Sequence, residues 1–333
     1  MPSSFETKMR TVERTAKHSP VRLLHLERWR SCLKVALIYH EGAGDGLERH
    51  VLVRTIEAQG HEVLSVATPE DDSHRVDETG ADLVVAAGGD GTIARVARAL
   101  AHTNVPLAIL PLGTANNIAT SLGINGTLEE LVATWDVAKL RSFDIGLGTG
   151  PWGERRVVES LGGGLVTHVI AMMDRRRSAV GPRDGELARA LRAYTDVLPQ
   201  VASCRWNIRI DDEEVDGDFI LVEVLNMPHI GPNFCLARDA RPDDGCFSVV
   251  MAERSHRKAL AAYLDDRLHN RTAVLDLPVR FAQRVEILNG DRLHLDDEVV
   301  GEAGVLGVTL TMESGAVRLL ASDRAGLARS EPD

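Results

Sequence analysis

The sequence predicts a protein of two domains, an α/β domain followed by a β-rich antiparallel sandwich domain. Between residues 34 and 140, short apolar runs alternate with helical patterns, which is typical of a parallel sheet flanked by helices. From about residue 141, short runs follow one another with little helix between them, which indicates antiparallel strands. A chain of 333 residues is long enough for two such domains.

The change of pattern sets the predicted domain bounds. Residues 1–33 form a basic N-terminal extension, residues 34–140 the first domain and residues 141–315 the second. We expect the terminal segment, residues 316–329, to return to the first domain, which would make that domain discontinuous.

Strands of the first domain are predicted from unbroken apolar runs, and its helices from a repeat of about 3.6 residues. The runs cover residues 35–39, 61–67, 83–87 and 107–110, and a helix is predicted over residues 46–60. Another helix follows residues 88–92, with Thr92 as its predicted N-cap and an apolar face at positions 93, 96, 97 and 100.

The second domain is predicted from six short runs and one helix. The runs cover residues 157–161, 205–210, 219–225, 247–251, 285–288 and 305–312. In the helix, Leu187, Leu191, Tyr194 and Leu198 share one face. The glycines at positions 162–164 are interpreted as turns or close-packing sites.

Two glycine-containing loops follow consecutive predicted strands of the first domain. The first has the sequence GGDGT (residues 88–92), and the second has PLGTANN (residues 111–117) and leads into a helix at Asn116 and Asn117. Glycine lets backbone N–H groups approach an anion, and a helix N-terminus adds partial positive charge, so these loops suit a nucleotide phosphate. The carboxylate of Asp90 would repel phosphate, so its role is with Mg²⁺ or in a hydrogen-bond donor network.

Together these loops resemble the diacylglycerol kinase catalytic-domain family, in particular its soluble bacterial lipid kinases, with sphingosine and ceramide kinases as relatives. The similarity extends from about Lys34 to Leu320 and includes the acidic run at residues 295–298. The resemblance implies an α/β nucleotide-binding domain of the NAD kinase and diacylglycerol kinase type. It also implies a set of residues that bind ATP, namely Thr68, Gly88, Gly89, Asp90, Gly91, Thr92, Gly113, Thr114 and Asn116.

The resemblance also implies which residues carry the chemistry. It places the base that accepts the proton of the lipid hydroxyl on Glu298, with Asp296 beside it and Asp90 at the nucleotide end. It places Mg²⁺ on the Asp244 side chain and the backbone carbonyls of Arg241 and Cys246. From the residues alone, the alternative interpretation of the acidic run is a solvated turn between strands, and an ordinary turn accounts equally well for the Asp-Asp-Gly segment.

Several positions depart from the family pattern. His40 and Glu41 stand where the family opens a loop with Asn-Pro, and Ala94 and Arg95 replace an Asn-Glu pair after GGDGT. Asp297 replaces the glycine of the Asp-Gly-Glu motif, in a turn where Asp tolerates positive φ better than most residues. These departures leave reduced activity or a changed substrate open.

The predicted function is an ATP-dependent lipid kinase that transfers the γ-phosphoryl group to a hydroxyl of diacylglycerol or a similar lipid. Two alternatives remain at this point: an NAD kinase-like enzyme, and a catalytically silent nucleotide- or lipid-binding protein. The sequence contains no Walker A lysine motif, no GxSxG elbow and no HExxH, so those reaction classes are not indicated.

Net charge and composition limit the kinds of binding partner that the sequence predicts. The first 34 residues carry +5 of the total net charge of −11, which leaves −16 on the rest, and an acidic body argues against nucleic-acid binding. The basic N-terminal extension is compatible with peripheral contact with anionic lipid. The sequence is also compatible with a homodimer. With no long apolar run, no signal-peptide pattern and four scattered cysteines, we expect a cytoplasmic protein that contacts membranes at most transiently.

Overall fold

A computed structural model describes residues 32–40, 47–69, 80–136, 138–176, 185–301 and 307–321. Most of the N-terminal extension (its residues 1–31), Glu41 and the end of the returning segment (residues 322–329) lie outside the described residues. None of the helices in the described ranges has the length and apolar character needed to cross a membrane.

The N-terminal half alternates strands and helices in the predicted order. Its elements are β1 (Lys34–Tyr39), α1 (Arg49–Ala58), β2 (Glu62–Ala67), β3 (Leu83–Gly88), α2 (Asp90–Leu100), β4 (Leu107–Pro111), α3 (Asn117–Ser121) and α4 (Leu128–Val132). The strands are parallel in the order β2-β1-β3-β4. Strand β3 is buried along its whole length, as expected for a parallel sheet covered on both faces.

The C-terminal half is mainly antiparallel. Its strands are β5 (Lys139–Gly150), β6 (Gly153–Val157), β7 (Ser160–Gly164), β8 (Cys204–Ile210), β9 (Glu213–Leu225), β10 (His229–Ile230), β11 (Phe234–Cys235), β12 (Phe247–Glu253), β13 (Val279–Ala282), β14 (Arg284–Asn289), β15 (Leu293–Leu295), β16 (Glu298–Val300) and β17 (Val308–Ala321). Its helices are α5 (Leu165–Arg176), α6 (Glu186–Val197) and α7 (Arg257–Leu268).

Strand β17 joins the two halves into one large sheet. Near its start it pairs with β14, and near its end Leu319 pairs in parallel with Leu107 of β4. It also pairs antiparallel with β5 along most of its length, with an irregularity between Glu313 and Val317. The chain thus returns at residues 316–321 to the sheet that carries both glycine loops.

Four apolar clusters fill the interior. Two cover the faces of the parallel strands, packed by α1 on one side and by α2 and α3 on the other. A third packs α5, α6 and α7 on the sheet and includes the Tyr194, Phe234 and Tyr263 rings, whose neighbouring centroids lie 5.3 Å apart. The fourth lies between the antiparallel strands around Trp206, which is fully buried.

Local boundaries differ from the prediction at two places near the glycine-rich segments. Helix α2 begins at Asp90 with Gly89 as its N-cap, so Thr92 lies inside the first turn and is not the cap. The strand predicted over residues 157–161 is interrupted, because β6 ends at Val157 and β7 begins at Ser160. The glycines at positions 162–164 lie in β7, where a Cβ on Gly163 would come within 2.5 Å of the Trp206 ring. They are therefore close-packing sites.

Candidate active site

A cleft of about 1340 Å³ lies between the carboxyl ends of β3 and β4 and the C-terminal half. Open α/β sheets bind ligands at this edge. The cleft brings both glycine loops together with the late acidic run; predicted site residues in its wall are Gly89, Asp90, Gly91, Thr92, Gly113, Thr114, Asp296 and Glu298. Arginines 95, 98, 155, 156 and 189 also line it.

The two glycine loops touch each other. A Cβ on Gly113 would lie only 2.5 Å from the Cα of Gly89, and one on Gly88 would lie 2.6 Å from the Thr92 hydroxyl oxygen. The Leu112 N–H donates to the Gly88 carbonyl at 2.9 Å, which continues the strand pairing into the loops. Glycine is therefore required at position 113 by the approach of the two backbones and at position 88 by the Thr92 side chain, and one ligand can contact both loops.

Side chains of the second loop fix this arrangement. Asn116 adopts a left-handed conformation (φ 52°) as the N-cap of α3, and its amide exchanges two 2.8 Å hydrogen bonds with the backbone of Gly113. Asp90 Oδ1 accepts the Ile118 N–H at 2.9 Å. Burial raises the pKa of Asp90, while N–H groups at the start of α3 oppose the shift. Of the two roles predicted for Asp90, the donor network is visible in the contacts.

Asp296 lies at the centre of the acceptor side of the cleft. Its side chain is 2% exposed and accepts the N–H groups of Val158 (3.1 Å), Glu159 (2.7 Å) and Ser160 (3.2 Å). Arg98 of α2 completes the set with an ion pair. Asp296 therefore holds the segment between β6 and β7 in place and ties it to the helix that follows the first glycine loop.

Glu298, the predicted base, begins β16 and is exposed. Its carboxylate pairs with Arg155 of β6 at 2.6 Å. This hydrogen bond holds the pKa of Glu298 below its usual value, so the group is a carboxylate at neutral pH. Asp297 is also exposed and lines the cleft beside it.

A third carboxyl group in the cleft was not identified from the sequence. Glu159 lies between β6 and β7, half-buried in the cleft wall, and its side chain hydrogen-bonds Asn117 at the start of α3. Burial raises its pKa well above the usual value, and the nearby Asp90 and Asp296 carboxylates raise it further.

The remaining predicted nucleotide residues lie around the first glycine loop. Thr68 directly follows β2, and its neighbour Pro69 lines the cleft. Arg95 donates to the Pro69 carbonyl at 3.0 Å and so connects α2 to the end of β2. The Thr114 hydroxyl donates to Glu186 at 3.0 Å, which joins the second loop to α6. The nucleotide roles of Thr68 and Thr114 stay predictions.

The predicted metal loop presents little that is arranged for a cation. Asp244 Oδ1 accepts the Cys246 N–H at 3.1 Å, and Arg241 pairs with Asp243. Across the described ranges, no group of three or more His, Cys, Asp or Glu side chains is arranged to hold a metal ion. The assignment of Mg²⁺ to Arg241, Asp244 and Cys246 therefore stays a prediction.

Comparison with known proteins gives the family. Residues 34–147 match the model described as "Diacylglycerol kinase catalytic domain", and residues 167–321 match "YegS C-terminal NAD kinase beta sandwich-like domain". A Pseudomonas aeruginosa (strain UCBPP-PA14) protein named "Probable lipid kinase YegS-like" is 30% identical over 223 residues, which cover 65% of this chain and 71% of that protein. The chain belongs to the diacylglycerol kinase catalytic-domain family. The resemblance seen in the two glycine loops is confirmed.

Other members of the diacylglycerol kinase catalytic-domain family match over more of the chain. The diacylglycerol kinase of Bacillus subtilis (strain 168) is 27% identical over 286 residues, covering 80% of this chain and 90% of that protein. A crystal structure of a diacylglycerol kinase from Bacillus anthracis str. Sterne superimposes with a TM-score of 0.65 at 21% identity, over 87% of this chain and 97% of the other. The predicted fold class, an α/β domain followed by a β-sandwich, is confirmed.

Three polar residues in the cleft of this family member, Arg98, Arg155 and Glu159, were not predicted from the sequence. Arg98 lies off the apolar face of α2, so its sequence pattern is that of an exposed surface residue. Its partner Asp296 lies 198 positions further along the chain. Arg155 and Glu159 lie in a segment without motif spacing. Their roles depend on the pairing of β7 with β15, which brings residues 161–163 beside residues 293–295. No local signal could have found them.

Proposed function

We propose that the protein is an ATP-dependent lipid kinase that transfers the γ-phosphoryl group to a hydroxyl of diacylglycerol or a similar lipid. The observation that carries the proposal is the single cleft in which two touching glycine loops face the Asp296–Glu298 turn. Phosphoryl transfer requires positioning, neutralisation of charge and one proton acceptor, and these residues can supply the first and the last.

The nucleotide end of the reaction is proposed at the glycine loops. Gly89, Asp90, Gly91 and Thr92 line the cleft at the N-terminus of α2, a position that suits the phosphates of ATP. Mg²⁺, when bound, neutralises part of the phosphate charge and so favours attack by a hydroxyl group.

The acceptor end is proposed against the C-terminal half, because part of the cleft wall there is apolar. Val166 and Ile170 of α5, Ile230 of β10 and the ring of Tyr194 line the cleft there. An apolar wall beside polar groups suits a lipid whose hydroxyl points toward the glycine loops. We further propose that the protein is cytoplasmic and meets its lipid by transient contact with a membrane surface.

Proton transfer is proposed to Glu298. Because Arg155 keeps this group ionised, it can accept the proton of the lipid hydroxyl as the oxygen attacks the γ-phosphorus. Asp296 is engaged by three N–H groups and Arg98, so we assign it a positioning role.

The test is phosphate transfer from γ-labelled ATP in Mg²⁺ to mixed micelles of diacylglycerol, monoacylglycerol, ceramide or sphingosine, with NAD as a soluble acceptor. We expect one labelled lipid, at least a hundredfold less product with Glu298→Gln, and wild-type activity with Glu154→Gln, an exposed acid on β6. Labelled NAD without labelled lipid would instead establish an NAD kinase-like enzyme. Binding of ATP with no labelled product would refute the kinase assignment.

A further inference from the structure

Asn117 carries a buried oxygen that lacks a partner. The residue is 2% exposed, lines the cleft and donates from Nδ2 to the Gly231 carbonyl at 2.8 Å. Within the described part of the chain, its Oδ1 has no hydrogen-bond partner. An unsatisfied buried acceptor costs on the order of 1–3 kcal/mol, so this position favours a ligand that brings a donor or a positive charge.

Two carboxyl groups contact Asn117. Glu159 hydrogen-bonds the Asn117 side chain, and Asp90 accepts the Asn117 backbone N–H. Two other acids of the cleft pair with arginines, Asp296 with Arg98 and Glu298 with Arg155. The partner described for Glu159 is the side-chain amide of Asn117, which carries no charge. Two carboxyl groups and an unpaired amide oxygen therefore lie together where the second glycine loop meets the segment between β6 and β7.

The donor set indicates the ligand class. Two carboxylates and an amide oxygen are hard oxygen ligands, which suit Mg²⁺ or Mn²⁺ and repel a phosphate that arrives without a cation. Three side-chain oxygens are too few for a complete site, in agreement with the lack of a three-residue His/Cys/Asp/Glu cluster in the described ranges. Mg²⁺ is usually held by one or two carboxylates, water and substrate phosphates.

We propose that Asp90, Asn117 and Glu159 form the protein side of a divalent-cation site that the phosphates of the bound nucleotide complete. The inference rests on the proposed nucleotide site, and it uses residues different from Arg241, Asp244 and Cys246. Glu159 supplies a carboxylate from the C-terminal half, and Asp90 and Asn117 supply oxygens from the two loops of the N-terminal half. The cation would thus link both sides of the cleft.

The first test is binding of AMPPNP, a non-hydrolysable ATP analogue, to the full chain by calorimetry with Mg²⁺ and with EDTA. We expect Mg²⁺ to tighten binding to the wild-type chain, and Glu159→Gln to reduce this gain at least tenfold while leaving affinity in EDTA unchanged or higher. Glu154→Gln is the matched control and should keep the full gain. Mn²⁺ binding in the presence of AMPPNP, followed by loss of the free Mn²⁺ paramagnetic resonance signal, should weaken in parallel.

A carboxylate exchange keeps the proposal testable if Glu159→Gln folds poorly. Because Asn117 touches the Glu159 side chain, Asn117→Asp should tighten Mn²⁺ binding in the wild-type background and recover part of the loss in the double variant Glu159→Gln/Asn117→Asp. A Mg²⁺ gain that Glu159→Gln leaves intact, or an Asn117→Asp variant with unchanged Mn²⁺ affinity, would overturn the inference. Failure of the wild-type chain to bind AMPPNP at all would instead count against the proposed function.

Discussion

The ion pair between Arg98 and Asp296 gives a sharp prediction, because it joins the helix of the nucleotide loop to the acceptor side of the cleft. Arg98→Met keeps the length and the apolar stem of the side chain but removes its charge and its donors. Asp296 would then remain 2% exposed with only the backbone N–H groups of Val158, Glu159 and Ser160 as partners.

The expected cost follows from these contacts. Removing one partner of a buried ion pair costs about 3–5 kcal/mol, and we take the lower part of this range because three N–H donors remain and Arg98 is 33% exposed. The variant also loses the 3.1 Å hydrogen bond from Arg98 Nε to the Arg156 carbonyl, worth about 1 kcal/mol. We therefore expect a loss of about 4 kcal/mol in the free energy of unfolding.

Urea unfolding of the full chain measures this loss, with Arg95→Met as the matched control one turn earlier on the same helix. Within the described residues, Arg95 makes one hydrogen bond, to the Pro69 carbonyl at 3.0 Å, so its loss should cost about 1 kcal/mol. Hydrogen exchange gives a local readout. Backbone amides at residues 158–160 should exchange faster in Arg98→Met, because their acceptor Asp296 is no longer held by α2.

Equal destabilisation by Arg98→Met and Arg95→Met would refute the reasoning, since the buried carboxylate would then be held by the backbone alone. A double-mutant cycle with Asp296→Asn supplies the decisive number. We expect a coupling energy of about 2 kcal/mol, and a value within about 0.5 kcal/mol of zero would show that the two side chains act independently.

Three further predictions concern other contacts of the same architecture. Burial, with smaller contributions from Asp243 and Asp244, raises the pKa of Asp144 to about 6. The stabilisation that comes from the proton on Asp144 is complete below about pH 4 and is lost as the pH rises through 6. In urea unfolding, the wild-type chain should therefore lose about 3 kcal/mol of unfolding free energy relative to Asp144→Asn between pH 4 and 7. A difference between the two chains that stays constant with pH would contradict this. Gly113→Ala would place a Cβ 2.5 Å from the Cα of Gly89, so calorimetry should show AMPPNP affinity reduced more than tenfold, and unchanged affinity would mean that the loops can separate without cost. Removing Arg155 takes away the main cause of the low pKa of Glu298, so Arg155→Ala should move the acidic limb of the kcat/KM profile to higher pH, and an unmoved limb would exclude Glu298 as the group observed.

The sequence predicts the parts of the site that are local and misses those that are not. The GGDGT and PLGTANN loops could be placed at one sheet edge, because each directly follows an apolar run and parallel strands end at a common edge. Glu298 could be found only through resemblance to the family. The start of α2 at Asp90 was missed because Gly89, which has no side-chain cap, serves as its N-cap.

Partners across the cleft could not be predicted, because their meeting depends on the register of distant strands. Asp296 reaches Val158, Glu159 and Ser160 only because β15 pairs with β7, and Arg98 reaches it only because β17 joins the two halves of the sheet. Neither pairing is encoded by a turn or a short motif. A side chain in an exposed pattern, such as Arg98, therefore gains its role from topology.

Two polar links of the cleft start from α2, the helix that follows the first glycine loop. Helix α2 carries Asp90 at its first residue and Arg98 in its last turn, so one rigid helix contacts both the second glycine loop and the acceptor turn. A helix of 11 residues transmits displacement between its ends because its backbone hydrogen bonds keep its length constant. A movement of the whole of α2 on nucleotide binding would therefore either shift Asp296 or break its pair with Arg98. If the Arg98–Asp296 pair of the wild-type chain stays intact on nucleotide binding, it connects the acceptor turn to the first glycine loop. Arg98→Met removes this connection from a loop that still binds the nucleotide. The variant should therefore lower kcat more than it raises the KM for ATP.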